Sequence, residues 1–511
     1  MIGLNGQIIN RSFCNLPKFL DALRAIPSQY ILNRSPLIWR RHLILSEMIS
    51  TSVNSDTKLI KSASKLICPP DDVRGMKVLD RESFRKTVSI PFLKIKTSNL
   101  VPVTRKLRPY LLKLKNFKSV QQLDISQEPN HDSLNKVFLN PDSFDAKIPQ
   151  LIEELQTSNL ISRSIEYESL ELNYENFQYY DIFQSVFDEG ALTSFSVIGH
   201  ILHLNLRTHH LPYRKLIGQV LLDKINSCRL VVNKLDIINS TFRNFEMEIL
   251  AQDDRDAQPN TNVSVCEAGI KFKFDFAKVY WNPRLSTERK RIIDLLNHKV
   301  DIVYDVFAGV GPFAVPIAKI RKCKVLANDL NPDAYHWLKE NVALNKVENL
   351  VECFNLDGRE FIKNQIKFDI IKQMEEFNGT NLNRRLHVLM NLPELALDFL
   401  KEFDGLLSSI ENVHDKFVPD ILVIHCYCFL RNISNPSEYL IDLVSSIFEY
   451  QIEPKDVMEI SEVRKVSTNK LMFRFSFQLN KEILYRNRKN QSSSTSDLDD
   501  SNEKSKKLKT Q

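Results

Sequence analysis

Two runs in the second half of the chain have the residue types and spacing that nucleoside-cofactor chemistry needs. Asp305-Val-Phe-Ala-Gly-Val-Gly-Pro-Phe ends an apolar run on an acid and follows it with Gly309 and Gly311. Asn328-Asp-Leu-Asn-Pro-Asp places a second acid, Asp329, at the end of the next apolar run. Glycine is scarce, 12 in 511 residues, so two of them two positions apart are informative. A turn after a parallel strand needs positive φ and close backbone approach, which glycine supplies at little steric cost. Pro312 suits the first helical turn, where its missing N–H is no loss. A dinucleotide loop wants a third glycine, and here Pro312, Phe313 and Ala314 follow instead. Alanine can fill that last place, so the dinucleotide reading stays open. S-adenosyl-L-methionine fits better: it carries no phosphate, so the loop need only pass its backbone along the methionine part. Asp329 would then accept hydrogen bonds from both ribose hydroxyls. A doubly wound fold with no retained site is the third reading.

Three further groups carry chemistry. Asp357-Gly358 closes another apolar run; the acid could accept from an adenine amino group while Gly358 lets the ring approach, or it could simply cap a helix. Asn391-Leu-Pro-Glu394 sits where a methyltransferase of this type meets its substrate, and an Asn side chain both donates and accepts, so it can hold a nucleobase edge. Enzymes that methylate exocyclic amines usually carry an aromatic at the fourth position; Glu394 there leaves a ring nitrogen open as the target. Upstream, Phe274 to Trp281 alternates like a strand, and Ser286 or Thr287 is placed to cap a helix running from Glu288 to Leu296. Taken alone, Glu288 reads as an acid favoured by the helix dipole.

The elements needed to position these groups are legible. Apolar runs at Ile302 to Phe307, Lys324 to Leu330, Leu350 to Leu356, Leu386 to Leu392 and Asp420 to Phe429 read as strands. Helical patterns at Phe313 to Ile320, Asp333 to Leu344 and Ala396 to Phe403 lie between them, and Asp456 to Leu479 alternates like a closing hairpin. Strand–helix alternation with sites at the carboxyl ends of strands is the doubly wound α/β pattern, with a mostly parallel sheet. Lys363 to Arg385 reads as a polar insertion.

Ile198-Gly-His-Ile-Leu-His-Leu-Asn-Leu-Arg207, Tyr280-Trp-Asn-Pro-Arg, Thr287-Glu288, Asp305-Val-Phe-Ala-Gly and Asn391-Leu-Pro together resemble the archaeal/eukaryotic tRNA (guanine(37)-N1)-methyltransferases. The resemblance runs from about Pro69 to Gln478. It implies a Rossmann-like class I domain that binds S-adenosyl-L-methionine, preceded by a β-rich module and a small N-terminal α/β module that grips the tRNA elbow. It also implies the roles. Glu288 would be the general base that takes the N1 proton, Arg243 the cation that stabilises charge on O6, Asn391 the group that orients guanine, and Tyr280 a wall of the pocket. Arg289, Asp305, Gly309, Asp329, Leu330, Asp357, Gly358 and Asn391 would hold the cofactor. Two related readings remain: the wybutosine-pathway enzyme of the same fold, which transfers the aminocarboxypropyl arm of the same cofactor, and a non-catalytic tRNA-binding protein. The chain departs from the family pattern at Val263-Ser-Val-Cys266-Glu and in a hydrophilic insertion, Asp253 to Asn262.

Length implies more than one domain. The expected division is an N-terminal extension (1–67), a tRNA-binding module (68–188), a β-rich module (189–279), the methyltransferase domain (280–484) and a Ser-rich basic tail (485–511). Net charge is only +6, so RNA binding must rely on local patches such as Arg284, Arg289, Lys290 and Arg291. Eight cysteines without C-x-x-C spacing suggest buried thiols in a reducing compartment, Cys426 and Cys428 sharing one strand face. His200, His203, His209 and His210 lack clear carboxylate or thiolate partners, so they are expected to pack a helix and its end and no metal site is expected. No apolar run reaches the length of a membrane span. The expected partner is tRNA, bound by a monomer without an obligate protein partner. Residues 1–50 are basic, with only Asp21 and Glu47 as acids, which resembles a mitochondrial presequence; Lys504-Ser-Lys-Lys-Leu-Lys has the make-up of a weak nuclear signal. Supply to the mitochondrial matrix and to the nucleus or cytoplasm follows as the expectation. A fluorescently tagged chain lacking residues 1–50 should lose mitochondrial accumulation; unchanged accumulation would remove this reading.

Overall fold

The computed structural model describes residues 66–123, 133–144, 147–161, 164–190, 192, 194–235, 246–376, 384–409, 422–467 and 469–487. The proposed presequence, Arg243 and the basic tail from residue 488 on lie outside them. The described residues fall into two units: 66–68 with Val88–Leu112 and Ser119–Glu168, and Pro69–Thr87 with Lys113–Lys118 and everything from Ser169 onward.

The first unit is built on strands β1 (Lys86–Lys96), β2 (Val120–Gln122), β3 (Leu134–Phe138) and β4 (Glu166–Leu172), in the order β2-β3-β1-β4. Leu93 and Ile95 alternate inward on β1 and meet Val137 of β3. Helices α1 (Leu100–Leu107) and α2 (Ile148–Thr157) complete this core, burying Val103 and Leu107 and Ile148, Ile152 and Leu155. These spacings of three and four put the apolar residues on one helical face. The opposite sheet face carries ion pairs, Lys94 to Glu166 at 2.7 Å and Lys136 to Glu168 at 2.6 Å.

In the second unit, α3 (Tyr179–Val186) precedes β5 (Ser196–Ile198), β6 (Ile201–Leu204), α4 (Arg214–Lys224), β7 (Leu230–Lys234) and β8 (Met247–Gln252). The sheet order is β5-β6-β7-β8. His203 therefore lies on a strand and His200 in the turn before it, not on a helix as expected; His209 and His210 occupy a short 3-10 turn. A hairpin of β9 (Asn262–Glu267) and β10 (Ile270–Asp275) follows, closed by Ala268 and Gly269, both at positive φ, as a two-residue hairpin turn demands. The strand expected to reach Trp281 stops at Asp275, because its side chain accepts the Ala277 amide and its carbonyl accepts from Lys278 and Val279, turning the chain. Trp281 then packs back on Phe272 and Phe274.

Helix α5 (Ser286–Leu295) enters the main sheet's domain. The expected Ser286 or Thr287 cap is absent: the Asn282 side chain accepts the Arg284 amide, winding Pro283–Leu285 into a 3-10 turn that runs directly into the helix. The sheet comprises β11 (Ile302–Asp305), β12 (Lys324–Asn328), β13 (Val351–Phe354), β14 (Leu386–Met390), β15 (Leu422–Leu430), β16 (Val457–Ser467) and β17 (Lys470–Gln478), in the order β13-β12-β11-β14-β15-β17-β16. The first five run parallel, while β17 is antiparallel to β15 and to β16. Side chains of period two feed two separate cores, Ile302, Tyr304 and Val306 into one and Val303 into the other. Both faces are thus covered, as a parallel sheet requires. The segment expected as a polar insertion is partly core: α7 (Lys367–Glu375), which follows α6 (Pro332–Leu344) in the chain, buries Ile370 and Met374, and its Asp369 accepts from Tyr304 at 2.9 Å and pairs with Lys324 at 2.9 Å. Cys426 and Cys428 share a buried face of β15 as free thiols.

The outer edge of β10 is satisfied by α6. Asn341 accepts the Lys273 amide (2.7 Å) and donates to the carbonyls of Lys273 (3.1 Å) and Val310 (3.0 Å), while Asn345, one turn on, does the same for Lys271. Through the Val310 carbonyl the clamp also ties β10 to the glycine loop. Asn341→Ala leaves buried backbone groups unpaired and should cost about 1–3 kcal/mol in urea denaturation; an unchanged midpoint would show that the clamp carries no stability.

Candidate active site

The glycine turn is held from β12. Gly309 (φ +56°) donates its amide to Asp329 at 2.7 Å, and the other Asp329 oxygen accepts the Asn331 amide at 2.9 Å. A Cβ on Gly309 would meet nothing within 4 Å, so the loop faces open space there, whereas one on Gly311 (φ +89°) would strike Leu338 at 2.8 Å and Val315 at 2.9 Å. Gly311 serves packing and Gly309 faces the site. Buried Asn328 ties three strand tips together, donating to the carbonyls of Val306 (3.1 Å) and Leu356 (3.0 Å) and accepting the Leu356 amide (2.9 Å).

Asp305 is fully buried, and neither of its oxygens has a well-formed hydrogen bond. Burial, with the charge of Asp329 added, pushes its carboxyl up to about 8, offset only in part by the Phe307 amide. A buried carboxyl without a partner at the mouth of a glycine turn suits a cationic group of a ligand. Burial likewise raises Asp329, against the two amides it accepts.

Beyond β13, the Asp357 carboxylate accepts the Arg359 amide at 2.8 Å and so acts as a helix cap in this state. Gly358 is closely packed: a Cβ there would lie 2.9 Å from Phe399 and 3.1 Å from Phe307, whose rings meet edge to face. Leu330, next to Asp329 in the chain, is 46% exposed, with its carbonyl held by Asn355 at 3.1 Å. An exposed apolar residue, a half-buried acid and an aromatic pair form the surroundings that an adenosine needs. With Asp329 held by two backbone amides and Asp305 buried without a well-formed hydrogen bond, these residues fit S-adenosyl-L-methionine.

Glu288 is not a surface acid. It is 2% exposed, and its Oε1 accepts from the Arg474 Nε at 2.6 Å and the Tyr427 hydroxyl at 3.0 Å. Its Oε2 has a single long contact, 3.4 Å, from the half-exposed Arg291. The Tyr427 ring lies 6.2 Å from Phe313 at the glycine turn, so the carboxylate and the turn border the same core. Burial, together with the Glu288 charge, raises the Tyr427 hydroxyl well above its ordinary value, so it stays a donor.

The other expected site residues lie as follows. Asn391 is half-buried at the carboxyl end of β14, on a segment bonded to β15 through Phe429 and Pro393. Tyr280 is 51% exposed and its hydroxyl accepts from Asn282 at 3.2 Å. Arg289 was expected in an exposed basic patch. It is instead 4% exposed, bonded to Glu267 (2.5 Å) and to the Asn282 carbonyl (2.8 Å), with its guanidinium over Trp281. Arg284, Lys290 and Arg291 are exposed. Glu394 pairs with Lys470 at 3.0 Å. The residues missed from sequence are Arg474, Tyr427 and Asn328. For Arg474 a signal existed: a charged residue and Ser476 interrupt an otherwise apolar Leu471 to Phe477. Among the described residues, no group of three or more His, Cys, Asp or Glu could hold a metal, and no helix is long and apolar enough to cross a membrane.

Comparison with known proteins places the chain in a family. Residues 263–441 match the TRM5/TYW2 methyltransferase domain and residues 181–255 the TYW2 N-terminal domain. The chain is 42% identical to a tRNA (guanine(37)-N(1))-methyltransferase of Anopheles gambiae, over 81% of this chain and 71% of that protein. It is 38% identical to the Homo sapiens protein of that name, over 87% of this chain and 84% of that one. In fold it resembles a solved complex of aTrm5 and tRNALeu, at 24% identity and a TM-score of 0.50, over 76% of this chain and 100% of that one. On this evidence the chain belongs to the tRNA (guanine(37)-N(1))-methyltransferase family.

Proposed function

We propose that the protein transfers the methyl group of S-adenosyl-L-methionine to N1 of guanosine 37 in tRNA, with Glu288 as general base. The observation that carries this is the asymmetric carboxylate: Oε1 is fixed by Arg474 and Tyr427, and Oε2 is left with one long contact to a half-exposed arginine. Guanine N1 is a poor nucleophile until it loses its proton, and a carboxylate within hydrogen-bonding reach can take it. Substrate entry would displace Arg291 and bring N1 to Oε2. The deprotonated N1 would be the nucleophile, and its proton would stay on Glu288. When bound, S-adenosyl-L-methionine supplies a methyl group on a sulfonium, a leaving group that departs neutral. Charge building on O6 would be met by Arg243, while Asn391 orients the base edge and Tyr280 borders the pocket. Asp305, Gly309, Asp329, Leu330, Asp357 and Gly358 would line the cofactor site, with Arg289 supporting it through the Asn282 backbone. Exposed Arg284, Lys290 and Arg291 suit the RNA backbone, and the affinity for tRNA should fall with salt. A monomer supplied to both mitochondria and the nucleus or cytoplasm is part of the same reading, resting on the composition of the termini.

Incubation of unmodified tRNA with methyl-labelled cofactor should place the label in 1-methylguanosine. In a parallel incubation with cofactor labelled in the aminocarboxypropyl arm, label entering the tRNA would favour the wybutosine-pathway reaction, and no label from either cofactor a binding protein. Glu288→Gln should retain cofactor and tRNA binding and slow methyl transfer by about 10²–10⁴-fold; a turnover equal to the wild type across pH would exclude Glu288 as the base.

Asp305 gives an independent test. Burial and the Asp329 charge push its carboxyl up to about 8, which favours the protonated form at pH 6.5, and a cationic ligand group placed beside it favours the ionised form. Calorimetry at pH 6.5 in buffers of different ionisation enthalpy should show about one proton released per cofactor bound, and none for Asp305→Asn. Equal release from both proteins would contradict this assignment.

A further inference from the structure

The Glu288 partner is part of a longer construction. On the sheet face that meets α5, a row of buried polar side chains crosses three neighbouring strands. Asp301 just before β11 lies 3.3 Å from His387 on β14, His387 lies 3.0 Å from His425 on β15, and His425 lies 2.8 Å from Ser476 on β17. The Ser476 hydroxyl accepts from Arg474 Nη1. The strand register builds the row, since His425 stands opposite Ser476 and Tyr427 opposite Arg474. The two imidazole rings stack at 5.3 Å with 9° between their planes.

Each nitrogen of the Arg474 guanidinium is used in a different direction: Nε to Glu288, Nη1 to Ser476, and Nη2 to Glu459 on β16 at 2.8 Å. The side chain is 1% exposed. A planar fork held on three sides has one orientation, which an ammonium could not reproduce. We infer that Arg474 is a positioning residue for methyl transfer, fixing Oε1 of Glu288 through a guanidinium that the Ser476–His425–His387–Asp301 row locks in place. This rests on the reading of Glu288 as the base.

The row orients; it does not conduct the proton. Arg474 remains protonated under all accessible conditions, so the proton taken from guanine stays on Glu288 and leaves from Oε2. His425 is held well below its ordinary value by burial and by His387 and Arg474, so it contributes a neutral ring. The groups facing Glu288 are Arg291 of α5, Tyr427 of β15 and Arg474 of β17; behind them stand Glu459 of β16, His425 of β15 and, next to Tyr427, Asp305 of β11. Arg474 is the buried cation among them, so removing it leaves Glu288 to ionise in a buried site without that partner.

The test is the single-turnover rate against pH for wild type, Arg474→Lys, Arg474→Met and Ser476→Ala, with cofactor affinity and melting temperature measured on each. Arg474→Met should move the acid limb of the profile up by about one to two pH units. Arg474→Lys keeps the charge, so its limb should stay near the wild type while its plateau rate falls about tenfold or more through lost geometry. Ser476→Ala should lower the plateau several-fold with KM for tRNA unchanged. A purely structural role would lower melting temperatures and leave the limb and the plateau of the folded protein where they are, which would overturn the inference. Should Arg474→Met fail to fold, the plateau rates of Arg474→Lys and Ser476→Ala decide it by the same criterion. A Glu288→Gln protein with full activity would instead remove the underlying reading, so the two failures are distinguishable.

Discussion

A carboxylate and a guanidinium, each almost wholly buried, meet at 2.6 Å between Glu288 and Arg474. Taking both ions out of water costs several kcal/mol apiece, and removing one partner of such a pair costs about 3–5 kcal/mol. The surroundings must therefore keep every remaining lone pair and proton engaged. The Tyr427 hydroxyl, the Ser476 hydroxyl and the Glu459 carboxylate do so. β15 and β17 each give the carboxylate a partner and β16 holds Arg474, so the end of the sheet that turns antiparallel is tied to Glu288.

The two halves of the site divide the chemical tasks. On the parallel side, Asn328, Asp329 and Gly309 fix strand tips and loop through short hydrogen bonds, leaving Asp305 without a partner. On the antiparallel side, charge is paired before any substrate arrives. A ligand is thus invited where a buried acid is unsatisfied, and a proton acceptor is held where an acid is half satisfied. Family membership supplies the reaction; these two patterns say how this chain's residues would divide it.

Local pattern in the sequence was sufficient for the strands that end at Asp305, Asn328 and Met390, because their apolar runs and the scarcity of glycine leave few alternatives. The hydrogen bond from the Gly309 amide to Asp329 was not legible in the sequence, because it joins the tips of two strands. Local pattern failed where partners are remote. Glu288 and Arg474 are 186 positions apart, so helix-dipole reasoning made a surface acid of a buried one. Arg289 reads as a solvated cation in a run of charges, yet Glu267 and Trp281 bury it. The strand expected to reach Trp281 stops short because the Asp275 side chain captures the Ala277 amide, a local competition that alternation alone does not register. The segment from Lys363 looked like an insertion because its charges hide a four-residue apolar spacing, Ile366, Ile370 and Met374.

The central claim is that one oxygen of Glu288 is kept for the N1 proton of guanine. A ternary structure with a non-reactive cofactor analogue and tRNA measures this directly, through the distance from guanine N1 to the two carboxylate oxygens. The account predicts Oε2 within about 2.6–3.2 Å of N1, with Arg474 and Tyr427 still on Oε1. A guanine whose N1 faces another acceptor, with Glu288 still enclosed, would contradict it.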